Sequence, residues 1–101
     1  MSKTDQRVGL GFDVHPFDPD RPLVLGGIEL RNHDGLLGHS DADALIHAIC
    51  DALLGAAGLD DIGHQFPDTE AQYKNIRSTV LLQRVVDLLQ TNGFSLVNVD
   101  G

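Results

Sequence analysis

The chain has 101 residues, 42% apolar and 22% charged, which suits one globular domain and excludes two. Its formal net charge is −8 with only seven scattered lysines and arginines, which excludes an electrostatically driven nucleic-acid binder, since neutralising phosphates takes clustered cations. The single cysteine, Cys50, excludes an internal disulfide, no run reaches the roughly 20 apolar residues of a membrane span, and the polar start is no signal peptide, so a cytoplasmic location is expected.

The first element expected is a strand over residues 7–14, within "RVGLGFDVHPF". Strand side chains alternate, so Asp13 and His15 would share a face. Taken alone, the pair is better explained by a polar turn at a strand end than by a ligand site. Asp18 and Asp20 flank Pro19, which reads as turn chemistry. "LVLGGIEL", residues 23–30, reads as a hairpin because Gly26-Gly27 accepts the positive φ of a two-residue turn. A polar loop follows.

Residues 39–58 read as a helix, with Ser40 or Asp41 as N-cap and Gly58 as terminator. Apolar residues cover most of its circumference, so it should be buried on several sides. Into that surface are set Asp43, His47 and Asp51, one line at i, i+4, i+8. Buried without partners they would cost several kcal/mol, so the line must meet something polar; a solvent-exposed seam is the plain alternative. Asp13, His15 and His47 together make a three-ligand set that suits zinc and leaves a fourth tetrahedral position open. Asp43 or Asp51 could take the second ring N–H of His47, and Asp51 is favoured. His39 and Ser40 precede the helix, whose N-terminus favours an anion such as phosphate.

Residues 59–77 read mostly as loop with one short helical turn, and a loop of that length is more often functional than idle. Ser78 opens a second helix with the inward stripe Leu82, Val85, Val86, Leu89, while Gln83, Arg84, Asp87 and Gln90 face water. Asn92-Gly93 stops it, and residues 94–100 read as a further strand. The order predicts an α/β (α+β sandwich) fold, a mixed β-sheet with helices on one face. His33 and His64 read as surface residues, Cys50 as a small core residue, and Tyr73, Lys74 and Arg77 as solvated.

"GFDVHPF", "GLLGHSDADALIHAICDALLGAAGLDDIGHQFPDT" and "LVNVD" together resemble the 2-C-methyl-D-erythritol 2,4-cyclodiphosphate synthase family, over residues 7–100. The D-V-H, H-S-D-x-D, D-I-G and F-P-D-T elements stand in family order; Glu70 stands where Asp is also seen. The resemblance implies closure of 4-diphosphocytidyl-2-C-methyl-D-erythritol 2-phosphate to a cyclic diphosphate with loss of CMP, in the non-mevalonate isoprenoid pathway. It implies zinc, or a similar divalent ion, on Asp13, His15 and His47, with a substrate phosphate in the fourth position. It assigns Val14, with its two neighbours, to the substrate, and His39 and Ser40 to the phosphates, His39 stabilising the transition state. Asp61, Ile62 and Gly63 would hold the methylerythritol portion, and Phe66, Pro67, Asp68, Thr69 and Glu70 would form a loop over it. It further implies a homotrimer with active sites between subunits, and a second ion, Mg2+ or Mn2+, whose ligand lies in later family segments. Those segments also hold the cytidine pocket, so residues 1–101 are expected to be a single domain truncated at its C-terminus, binding zinc poorly and releasing little CMP alone. The competing readings are a metal-dependent phosphoesterase, with water as nucleophile, and a non-catalytic zinc-binding oligomerisation domain with a closed ligand shell.

Overall fold

The computed structural model describes residues 5–38, 40–67 and 76–101. Its elements are β1 (Phe17–Asp18), β2 (Leu23–Leu25), β3 (Ile28–Arg31), β4 (Gly35–Leu36), α1 (Ala44–Ala56), α2 (Ile62–Gln65) and α3 (Ser78–Thr91). The α/β class holds, with three helices and four short strands among the described residues. The strands form two antiparallel pairs, β1 with β4 and β2 with β3, with no parallel pair among the described residues. Among the described residues no helix is long and apolar enough to cross a membrane.

The hairpin turns where expected, through Gly26 (φ 63°) and Gly27 (φ 80°), with Leu25 opposite Ile28. Pro19 lies in the expected turn, where the Asp20 N–H donates to the Asp18 carboxylate at 2.9 Å.

Helix α1 begins later than its sequence pattern suggests. Its N-cap is Asp43, not Ser40 or Asp41. The Asp43 carboxylate accepts the N–H of Ile46 (3.0 Å) and those of Gly26 (3.0 Å) and Gly27 (2.7 Å) in the hairpin turn. Three donors settle the choice among neighbouring capping residues, because only position 43 serves helix and hairpin at once. The far end is as expected: Gly58 (φ 73°) donates to Gly55 O and Leu59 to Leu54 O, a Schellman close. Helix α3 ends alike, with Gly93 (φ 83°) donating to Gln90 O and Phe94 to Leu89 O.

The core lies between α1 and α3 and is built from Ile46, Cys50, Leu54 and Val85. Val85 and Leu89 of the expected stripe are buried, Leu82 and Val86 half-buried, and Leu81, outside that stripe, is buried too. Cys50 is fully buried, and burial, with Asp51 and Asp43 nearby, pushes its thiol pKa up to about 12, so it is inert core. Ile62 and Phe66 pack against this core from α2 and its end.

Two expected strands do not form. Residues 7–14 and 94–100 run without strand pairing, because no neighbouring strand is placed to complete a ladder. The first segment instead lies antiparallel along α1. Two extended residues advance about 6.6 Å and four helical residues about 6 Å, so each second residue meets the next helical turn. Gly9 thus sits on the backbone of Ala52, and Gly11 on that of Ala48. Val8, Leu10, Phe12 and Val14 point the other way and are at least 80% exposed.

Candidate metal centre

The same rise-matching delivers the site. One step beyond Gly11, Asp13 reaches His47 on α1, and His15 lies beside Asp13 on the shared face. The ligand atoms of Asp13, His15 and His47 all lie within 4.8 Å of one another. The three residues are half-buried, and the two rings are tilted, with centroids 5.8 Å apart.

The protons of the two rings can be placed from their other partners. His15 Nδ1 lies 2.9 Å from the carbonyl of Leu37, which can only accept, so Nδ1 carries the proton. Gly38 makes room for this ring, since a Cβ there would stand 2.8 Å from His15 Nδ1. His47 Nε2 lies 2.9 Å from Ser78 Oγ. The Ser78 hydroxyl gives its own proton to the Asp41 carboxylate, so it accepts from His47 and Nε2 carries the proton. Both remaining ring nitrogens, His15 Nε2 at 2.7 Å and His47 Nδ1 at 3.2 Å, therefore aim lone pairs at Asp13 Oδ2.

Two lone pairs against a carboxylate oxygen repel unless each ring gains a second proton or one cation sits among them. A divalent ion satisfies all three groups at once. Two imidazoles and a carboxylate are also a donor set that zinc favours, and three protein ligands leave a position open. The set fits the metal.

The line Asp43, His47, Asp51 does not serve one partner. Asp43 holds the hairpin turn, His47 meets Asp13 and Ser78, and Asp51 accepts the N–H of Ile62 at 3.0 Å. Asp51 is thus not the second partner of His47, and neither is Asp43. That partner is Ser78, 1% exposed, a helix opener whose distance of 31 residues in sequence hid the contact. Arg21 was equally hidden. Its guanidinium donates to the carbonyls of Gly38 and Ser40, tying down the segment before α1, where Ser40 (φ 53°) and Ala42 (φ 51°) are left-handed.

Ser40 is half-buried and lies four residues ahead of α1, where the Ile46 N–H serves the Asp43 carboxylate. His39, Asp68, Thr69 and Glu70, with Tyr73 and Lys74, lie outside the described residues. Val14 is 80% exposed beside the ligand pair. Phe66 and Pro67 are half-buried, Gly63 is exposed, and Arg77 is exposed at the start of α3. His33 is exposed as expected, 3.0 Å from Asp34.

Asp61 caps α2 and is exposed, accepting from the His64 N–H at 3.0 Å and lying 2.8 Å from His64 Nδ1. The bond to His64 holds the Asp61 pKa below its ordinary value, and the bond to Asp61 raises that of His64. The Asp61 contribution is present above its unfolded pKa and lost as pH falls through its lowered value. The His64 contribution is present below its unfolded pKa and lost as pH rises through its raised value. An NMR titration is expected to show the His64 pKa falling in Asp61→Asn; no change would mean the pair does not form in solution.

Two cavities among the described residues are lined by groups other than Asp13, His15 and His47. One of about 280 Å³ is lined by Val24, Gly27, Glu29, Asp41, Arg77 and Thr79. The other, about 670 Å³, runs between residues 5–9, α1 and residues 93–100.

Comparison with known proteins points to one family. The YgbB family model matches residues 6–101. A 2-C-methyl-D-erythritol 2,4-cyclodiphosphate synthase of Syntrophomonas wolfei is 60% identical over 94 residues, 93% of this chain and 60% of the relative. The Parabacteroides distasonis synthase is 61% identical over 94 residues, 93% of this chain and 58% of that one. A solved synthase structure in a CDP-bound form superposes with a TM-score of 0.81 at 45% identity, covering 86% of this chain and 58% of that one. The bifunctional IspDF of Campylobacter jejuni gives a TM-score of 0.76 at 48% identity, covering 83% of this chain and 23% of that one. The chain thus spans about three fifths of the length of these single-function relatives.

Proposed function

The chain belongs to the YgbB family, and we propose on that premise that it carries the metal centre of a 2-C-methyl-D-erythritol 2,4-cyclodiphosphate synthase. The observation that carries the reading is the convergence of two imidazole lone pairs and one carboxylate at Asp13, His15 and His47. The relatives bear the synthase name, which favours it over a phosphoesterase, and three ligands rather than four favour it over a structural zinc.

The proposed substrate is 4-diphosphocytidyl-2-C-methyl-D-erythritol 2-phosphate. An oxygen of its 2-phosphate attacks the β-phosphorus, the bond from that phosphorus to the CMP oxygen breaks, and CMP leaves with the electron pair. The nucleophile is already an anion, so alignment and charge neutralisation matter more than a general base. Zinc on Asp13, His15 and His47 would supply positive charge beside the phosphate oxygens, which a chain of net charge −8 otherwise lacks. Val14 lies beside that contact. His39 and Ser40 hold the phosphates, with His39 stabilising the transition state. Asp61, Ile62 and Gly63 cradle the methylerythritol portion, with Asp61 binding its hydroxyls, and Phe66, Pro67, Asp68, Thr69 and Glu70 cover that portion.

Residues 1–101 act as a single domain in this reading, in a cytoplasmic homotrimer with active sites between subunits. A second ion, Mg2+ or Mn2+, is held outside these residues. A native mass spectrum of the whole protein is expected to show three chains carrying three zinc ions. Phosphorus NMR of the whole protein with the cytidine-linked substrate, zinc and magnesium is expected to show a cyclic diphosphate and CMP. Release of inorganic phosphate without CMP would replace the synthase by a phosphoesterase. Residues 1–101 alone are expected to bind zinc poorly and to release little CMP.

A further inference from the structure

We infer that Ser78 and Asp41 are positioning residues that select which nitrogen of His47 faces the metal, an inference that rests on the metal-centre reading above. Asp41 takes both donors of Ser78, the hydroxyl on Oδ1 and the N–H on Oδ2 at 3.1 Å. The hydroxyl is thereby fixed as an acceptor towards His47 Nε2 at 2.9 Å. That proton cannot then sit on Nδ1, so the Nδ1 lone pair is the one turned to Asp13. Ser78 is 1% exposed, so water has little access to replace its hydroxyl. Ser78 is also the first residue of α3, while His47 lies on α1. One contact therefore both bridges the two helices and orients a metal ligand.

The first test needs no variant. Long-range nitrogen–proton NMR of the zinc-loaded protein is expected to show His47 protonated at Nε2 and metal-shifted at Nδ1. Protonation at Nδ1 with the ion on Nε2 would overturn the inference and leave the metal centre standing. If zinc shifts neither His15 nor His47, the metal-centre reading falls and the inference with it. A zinc titration then compares Ser78→Ala with the unmutated protein, and affinity is expected to fall roughly 10–100-fold, as for other outer-shell partners of a ligating histidine. Ser78→Thr, which keeps the hydroxyl, is expected to restore most of it. Equal zinc affinity in a folded Ser78→Ala protein overturns the inference while the metal centre stands.

Discussion

Replacing His47 by alanine is expected to remove zinc binding while leaving the helices in place. The ring is one of three ligands, and losing it leaves two protein donors, too few to hold the ion against water. The loss should exceed the roughly 10–100-fold typical of outer-shell changes. The fold should survive, because the core is built from Ile46, Cys50, Leu54 and Val85, and His47 is only half-buried beside it. Equilibrium dialysis with zinc, paired with far-UV circular dichroism, checks both halves. Retained zinc at one ion per chain would mean that the ion sits elsewhere.

The second large effect comes from a residue with no side chain. A Cβ on Gly11 would stand 2.1 Å from Ala48 O and 2.8 Å from Ala52 N. These are backbone atoms of a helix and cannot rotate away, so Gly11→Ala must lift the segment off α1. Overpacking of this kind typically costs about 1–3 kcal/mol, and more where the backbone must move. Asp13 and His15 ride on that segment, so zinc affinity should fall with stability. Gly55→Ala gives the opposite sign: it lies within α1, nothing stands within 4 Å of its Cβ position, and it should stabilise by up to about 1 kcal/mol. Urea melts of the two variants test the pair, and equal effects would contradict the account.

The three clustered residues were legible because their periodicities are local. Period two puts Asp13 and His15 on one face, and an amphipathic break marks His47. The reason they meet was not legible: it lies in the match between extended and helical rise, with glycines at 9 and 11 allowing contact. Hairpin turn and helix stops were readable from Gly26, Gly27, Gly58 and Gly93, each at positive φ. The start of α1 was not, because the donors that select Asp43 come from the distant hairpin. Ser78 and Arg21 escaped for the same reason, since a serine at a helix start and an arginine in a loop look ordinary until folding supplies their partners. The strands expected at 7–14 and 94–100 have suitable alternation, but pairing requires a neighbour, which alternation cannot supply.

The most direct test is X-ray absorption at the zinc edge of the zinc-loaded protein. The account predicts only nitrogen and oxygen neighbours at about 2.0–2.2 Å, with the ring scattering of two imidazoles and the ion lost in His47→Ala. A sulfur neighbour at about 2.3 Å, which within residues 1–101 only Cys50 or Met1 could supply, or a shell without imidazole would contradict it.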